Sequence, residues 1–300
     1  MTFQYITYGL VFVSDLELPE LQSISTEKTV ADVAIKFGPV PADGLPGGRQ
    51  ISPFIWVGAD DFWLEVPQVA RFRVSDKRQI TIDPAAGIDE ASIRVFLLGS
   101  GLGALLFQRG MLILHGNAIE IDGQCMVCVG PSGAGKSTLA AAFAQRGYRL
   151  LADDVVPIDP AGCAVPGFPR IKLWQDTADK LGIQTDDLQR IRPELQKYNL
   201  PTHTEFCGDP RPVRWIYRLS PNHQSDITLT QLTGIEKFKR LRENTYRHRF
   251  MVGMSLQATH LEQCGALANQ ARMALAERPS VGFEIDRLVD ALLADVKGHS

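Results

Sequence analysis

The stretch CMVCVGPSGAGKSTLAAAFAQRG, Cys125 to Gly147, decides how the rest of the chain is read. It opens on an apolar, strand-like run and closes on an Ala-rich, helix-like one. Between them Gly130-Pro131-Ser132-Gly133-Ala134-Gly135-Lys136-Ser137 fits G-x-x-x-x-G-K-[ST] at every fixed position. Glycines at this spacing let backbone N–H groups converge on phosphate oxygens, and a helix opening near Gly135 turns its positive dipole end toward them. Lys136 then reaches between phosphates, and Ser137 ligates the Mg²⁺ that bridges the β and γ phosphates. The predicted nucleotide site is Gly130, Ser132, Gly133, Ala134, Gly135, Lys136, Ser137 and Thr138. A glycine turn that only capped a helix would not need Lys-Ser at its end.

Outward from the loop, LILHGNAIEI reads as a strand, DGQ as a turn, and YRLLADDVVPID as a strand that follows the helix. Strand, glycine-rich loop, helix and strand in that order predict an α/β core. Asp153 and Asp154 end an apolar run one short helix after Lys136. Neighbouring side chains on a strand point to opposite faces, so one carboxylate is expected to face the phosphates and the other to be held differently. Two acids at a strand end also suit a turn or a helix cap, but beside a phosphate loop they suit a metal ligand or a catalytic base better. His115, after four apolar residues and before Gly116 and Asn117, reads either as a satisfied strand-end residue or as a group on the γ-phosphate side.

The first 85 or so residues carry short apolar segments broken by Gly, Pro and Asp, which predicts a small, mostly antiparallel sheet. IDEASIRVFLLGSGLGALLFQRG then places Ile88, Ala91, Val95, Leu98, Leu102 and Leu105 on one face of an amphipathic helix with an acidic first turn, weakened by Gly99, Gly101 and Gly103. Beyond Pro160 the pattern mixes short helices and loops. It then becomes regular in the strands VRWIYRLS and ITLTQL, and helical in GIEKFKRLRENTY, LEQCGALANQARMALAE and EIDRLVDALLADV. Two domains are expected: 1–86, small and mostly β, and 87–300, carrying the loop and a helical C-terminal part.

Composition narrows the classes. The 300 residues are 45% hydrophobic and 22% charged, as in ordinary globular chains, and a net charge of −3 argues against a dedicated nucleic-acid partner. The opening residues lack the basic and apolar regions of a secretory signal, and no apolar run approaches the roughly 18 residues of a membrane span. Five scattered cysteines read as reduced thiols, so a cytoplasmic location without membrane partners is expected. Cys125 and Cys128 alternate along a strand and read as small core residues rather than a zinc or redox pair. Aromatics in FIWVGADDFWLEV read as sheet core, although an exposed aromatic edge suits a peptide strand. Arg170 and Lys172 are placed to orient a phosphate. Lys237, Lys239, Arg240, Arg242, Arg247, His248 and Arg249 read as a solvated helix face, or as a grip on a nucleotide or an acidic acceptor. His203, His223, His260 and His299 stand at no metal spacing.

The constellation HGN, GPSGAGKST and RGYRLLADDVV resembles HPr kinase/phosphorylase, whose phosphate-loop fold is shared with phosphoenolpyruvate carboxykinase. The resemblance is close over about residues 110 to 160. It implies a P-loop core of that type behind a small β domain, and an ATP- and Mg²⁺-dependent kinase. His115 and Lys136 are then active-site residues, Ser137 is a metal ligand, and Asp154 takes the proton of the acceptor hydroxyl with Asp153 beside it, Asp153 counting both as a catalytic residue and as a metal ligand. The chain departs from the family at Thr138, where the family has Glu, and lacks a recognisable downstream Glu-x-Arg-Gly, leaving Asp176 or Asp179 as substitutes. Reversal by phosphorolysis is therefore not implied. YGLVFVSDLELPEL and GFPRIKLW are more similar to stand-alone HPr-kinase-like proteins of peptide-modification pathways, lasso-peptide biosynthesis among them. That implies a serine, notably C-terminal, of a precursor peptide or small protein as acceptor. A small-metabolite kinase and a nucleotide-dependent regulatory module are the other classes in play, and a homo-oligomer stays open.

Overall fold

The computed structural model describes residues 2–24, 30–58, 60–192, 194–202, 205–222 and 225–299. The chain forms two compact units, Met1–Ile113 with Arg247–Leu261, and Leu114–Tyr246 with Glu262–Ser300. It is mixed α/β, with a large sheet in each unit. The expected boundary after residue 86 falls inside the first unit.

In the first unit nine strands run in the spatial order Gln22–Ser23, Phe3–Thr7, Leu10–Ser14, Val33–Phe37, Gln79–Pro84, Ala70–Ser75, Asp61–Val66, Ile55–Val57 and Arg49–Ser52. Pairing is antiparallel except on the two sides of Val33–Phe37, which are parallel. Alternating residues Phe62, Phe72, Ile80 and Ile82 are fully buried, so one face of the sheet forms the core. Trp63 is buried as well, and its indole N–H finds the Pro41 carbonyl at 2.8 Å.

Helix Glu90–Phe96 starts where Asp89 caps it, its carboxylate accepting from the Ser92 N–H at 2.8 Å. A five-residue π-helical segment, Leu97–Gly101, precedes helix Leu102–Gln108. The expected single amphipathic face is not what forms. Every residue from 97 to 107 is buried, so the segment has no solvent face, and Ile88 lies before the helix. Arg94, buried too, is 3.2 Å from the Glu20 carboxylate. By length and composition Glu90–Gln108 does reach the range of a membrane span, with a mean hydropathy of 1.4. Ser100 and the glycines at 99, 101 and 103 interrupt its apolar run, so the expectation of no such segment is corrected here. Of its window, 78% is packed inside the structure, as in a core helix.

In the second unit the central strands are Gln124–Val129, Arg211–Asn222 and Arg272–Pro279, mutually parallel. Gly116–Ile121 joins antiparallel beside Gln124–Val129, Leu150–Asp153 beside Gly116–Ile121, and Thr228–Leu232 beside Arg272–Pro279. The registers Gly116↔Val129 and Asn117↔Asp153 bring three sequence segments to one end of the sheet: the start of one strand and the finishes of its two neighbours. Cys125 and Cys128 are both fully buried and unbonded to each other. Two further expectations change here. LILHGNAIEI is two strands, Leu112–Leu114 and Gly116–Ile121, broken at His115. ARMALAE is not the end of a helix: helix Gln257–Gln270 stops, and Arg272–Pro279 is an interior strand. Ala274 and Ala276 are at most 1% exposed between strands on both sides, and that setting overrides the helix preference of Ala.

Candidate active site

The glycine-rich loop leaves the carboxyl end of Gln124–Val129, and helix Lys136–Gln145 begins at its last residues. Gly130 has φ +151, and a Cβ there would lie 2.7 Å from the Leu219 carbonyl oxygen. Gly133 and Gly135 take φ +80 and +95, conformations that favour glycine. The helix is anchored on both sides, Leu139 and Phe143 in a core with Met126, Trp215 and Leu292, and the small Ala140 and Ala141 against Ile171 and Leu173. Asn117, fully buried, donates from Nδ2 to the Lys136 carbonyl and ties the first helical turn to the neighbouring strand. On the other flank Arg278 donates from Nε and Nη2 to the Ala134 carbonyl at 3.2 and 3.1 Å.

Lys136, Ser137, Asp153 and Asp154 meet in one cleft with His115. The Lys136 ammonium is folded into the loop, donating to the carbonyls of Gly130 and Pro131 at 2.9 and 3.0 Å. Ser137 Oγ donates to the Asp153 carboxylate, 3.1 and 3.2 Å from its two oxygens, and the Lys172 backbone N–H donates to Asp153 Oδ2 at 3.0 Å. The strand ends at Asp153, because Asp154 turns out of it at φ +74. The expected alternation of faces therefore stops there, and both carboxylates line the same cleft. Asp154 Oδ2 accepts from Lys172 Nζ at 2.8 Å, and its Oδ1 is 3.3 Å from His115 Nδ1. His115 Nδ1 is also 3.0 Å from the Asp154 carbonyl oxygen, which places the proton of a neutral ring on Nδ1. Gly116 follows the histidine because a Cβ there would stand 2.4 Å from the Cys128 carbonyl oxygen.

The cleft holds about 370 Å³, and besides these residues it is lined by Ser132, Gly133, Gly135, Thr138, Lys172, Leu173, Trp174, Asp176, Thr177 and Lys197. A second hollow of about 240 Å³ opens on Gly133, Gly135 and Thr138 of the same loop, with Arg278, Phe283 and Ile285 around it.

Burial, and then the nearby Lys136 ammonium, push His115 below its ordinary value against the pull of Asp154, so the ring is neutral near pH 7. Burial also lowers Lys136, with Asp153 and Asp154 pulling the other way. Burial alone would raise Asp154, but the Lys172 ammonium, by charge and hydrogen bond, and then His115 hold it far below the usual carboxylate range. Asp153 is raised by burial and by its neighbour's charge, so the pair is electrostatically unequal.

Of the weaker candidates, Asp176 lines the cleft, whereas Asp179 accepts from Gln175 at 2.7 Å. Arg170 is a structural residue: buried, it donates to Asn199 Oδ1 at 2.8 Å across the hairpin Arg170–Trp174/Lys197–Pro201. The basic run divides. Lys237 donates to the carbonyls of Ala268 and Ala271 where helix Gln257–Gln270 ends, and Lys239 and Arg240 pair with Glu236 and Glu243 on their own helix. Lys239 and Arg240 thus belong to the solvated helix face, and Lys237 is a half-buried cap on the neighbouring helix end. Arg247, His248 and Arg249 sit in the first unit. His203 and His223 lie outside the described residues. His299 Nδ1 is 2.8 Å from the Asp295 carbonyl oxygen. Among the described residues no group of three or more His, Cys, Asp or Glu is gathered to hold a metal ion. Sequence reading missed Asn117, Arg278 and Lys197. Asn117 follows the His-Gly pair directly, whereas Lys197 and Arg278 reach the loop only through long-range pairing.

No family model matches the chain. It is 41% identical over 51 residues to the HPr kinase/phosphorylase of Caldanaerobacter subterraneus subsp. tengcongensis, 17% of each chain. With that of Lactobacillus acidophilus it shares 47% over 45 residues, 15% of this chain and 14% of the relative. With that of Clostridium botulinum (strain Eklund 17B / Type B) it shares 34% over 71 residues, 23% of each. The matches thus span under a quarter of these curated relatives. A solved Hpr(Ser) kinase/phosphatase from Coxiella burnetii aligns with 62% of this chain and 93% of its own length, at 14% identity and a TM-score of 0.28, a likeness too slight to carry an argument. Over the matched stretch, this chain is HPr kinase/phosphorylase-like.

Proposed function

We propose that the second unit is an ATP- and Mg²⁺-dependent phosphotransferase with a P-loop core of the HPr kinase type, moving the γ-phosphate to a hydroxyl. The observation that carries this reading is that one cleft joins the Lys136–Ser137 helix start to the two carboxylates of Asp153 and Asp154. The acceptor class proposed is a serine of a peptide or small protein in the cytoplasm, and the narrower form is a precursor peptide such as those of lasso-peptide pathways. The short matches to the relatives named above support a kinase without fixing that acceptor.

Backbone N–H groups at the start of helix Lys136–Gln145 have no intrahelical partner and are available to phosphate oxygens. Lys136 exchanges its two loop carbonyls for phosphate oxygens. Ser137 Oγ and the Asp153 carboxylate, already facing each other, are hard oxygen donors of the kind Mg²⁺ takes alongside phosphates, so the pair fits that cation. When bound, Mg²⁺ neutralises phosphate charge. Arg278 and Asn117 keep the loop and its helix in register from either side. The hollow beside Phe283 and Ile285 offers room for the nucleoside. Asp154, anionic and oriented by Lys172 and His115, aligns the acceptor hydroxyl and takes its proton. A loose transition state asks little basicity of that carboxylate until late, which accommodates its depressed pKa.

Transfer from labelled Mg-ATP to candidate serine peptides, proteins and small hydroxyl compounds tests the reading. Asp154→Asn should bind Mg-ATP within about threefold of the native chain and lose transfer by about 10²-fold or more. Undiminished transfer by that variant overturns the assignment of Asp154.

A further inference from the structure

Three ammonium groups line the cleft, and two are already engaged: Lys136 with loop carbonyls, Lys172 with Asp154. Lys197 is not. It opens strand Lys197–Pro201 opposite Trp174 in the hairpin register, and its Nζ lies over the half-exposed Trp174 indole, 5.2 Å from the ring centroid. Its ammonium makes no hydrogen bond or ion pair among the described residues, although its backbone carbonyl accepts from the Ile191 N–H at 2.9 Å. Neither carboxylate is left over for it, since Asp153 holds Ser137 and the Lys172 N–H, and Asp154 holds Lys172 and His115. Its charge nevertheless weighs on both sides of the cleft, on Lys136 at the loop and on Asp154 opposite. Burial lowers Lys197 even though both aspartates draw on it from a distance; a partly desolvated cation with no anion in contact is costly, and it is relieved when an anion enters between those two points.

We infer that Lys197 is a catalytic residue that donates to the oxygens of the phosphoryl group in flight, supplying the positive charge that the loose transition state needs. The inference rests on the kinase reading above. In the step, the bond from the γ-phosphorus to the β–γ bridging oxygen breaks and its electron pair leaves with the diphosphate. The acceptor oxygen bonds to phosphorus, and its proton passes to Asp154. Lys197 keeps its protons throughout and changes only its hydrogen-bond partners. A cation aimed at charge that develops only during transfer accelerates the step without tightening nucleotide binding. The same ammonium placed only to hold the hairpin through Trp174 would do neither.

The test uses the full chain, Mg-ADP with and without aluminium fluoride, and hydrolysis of Mg-ATP by water as a transfer that needs no known acceptor. Lys197→Met keeps the aliphatic stem over Trp174 and removes the charge. It should bind Mg-ADP within about threefold of the native chain, lose at least about tenfold of the tightening that fluoride brings, and hydrolyse about 10²- to 10³-fold more slowly. Lys197→Arg should recover most of the tightening. Equal tightening in native chain and Lys197→Met, or none in a native chain that binds Mg-ADP, overturns the role of Lys197. A native chain that binds neither Mg-ADP nor Mg-ATP overturns the kinase reading itself.

Discussion

Asp154 holds its position at φ +74, a conformation costing about 1–2 kcal/mol for an ordinary residue and less for Asp, and Lys172 and His115 hold it there. That turn puts both acids into one cleft. Asp153 is expected to serve the metal: in Asp153→Asn, the tightening of nucleotide binding by Mg²⁺ should fall by about 10- to 100-fold while metal-free nucleotide binding changes little, measurable by calorimetry with and without chelator. Gly130 is fixed by the Leu219 carbonyl. Gly130→Ala should lower stability in urea by about 1–3 kcal/mol and weaken nucleotide binding with it. An alanine variant as stable as the native chain would show that the loop relaxes freely. His115, Lys136 and the two acids were legible in sequence because each sits where a strand meets the loop's end of the sheet. Lys197 was not, since only the hairpin pairing Trp174↔Lys197 carries it to the cleft.

At the level of elements, the interior strand Arg272–Pro279 was the hardest to read. Ala and Met favour helix, the preceding residues are helical, and no turn residue separates the two. Its partners, the parallel strand Arg211–Asn222 and the antiparallel strand Thr228–Leu232, lie far off in sequence, so local pattern cannot reveal them. The strand is locked to helix Ile285–Gly298 by Asp295, which accepts from Arg272 at 2.9 and 3.2 Å and from the Tyr217 hydroxyl at 2.7 Å. Burial would raise Asp295, but the hydrogen bonds from Arg272 and Tyr217 outweigh it and leave it lowered. A lowered carboxyl stabilises the fold fully above its unfolded value near 3.8, and that contribution is lost as pH falls through the still lower folded value. Asp295→Asn should therefore cost about 2 kcal/mol at pH 7 and show a shallower loss as pH falls below about 4 than the native chain. Parallel pH–stability curves for the two proteins would refute the network's role. The loop helix and the first-unit strands, in contrast, announced themselves through glycine spacing and alternation.

For the whole molecule, the first unit is built from two separated stretches of chain. Phe250, from the later stretch, packs on Phe62 with ring centroids 4.6 Å apart, and Arg49 donates to the Gly253 carbonyl at 2.7 Å. A fragment of residues 114–300 keeps Phe250 and Met251, each 2% exposed in the full chain, but lacks the first stretch. It should self-associate on size-exclusion chromatography, and Phe250→Ser with Met251→Ser should reduce that association. A monomeric fragment with unchanged cooperativity of unfolding would contradict this. The sequence suggested a break after residue 86, because the return of residues 247–261 carries no local mark of its destination. Arg49 and Gly253 are 204 residues apart. At the usual pace of translation the second leaves the ribosome about 10–40 s after the first. The nine-stranded sheet must wait that long beside the exit tunnel with its later stretch unmade, a window in which a chaperone can hold it.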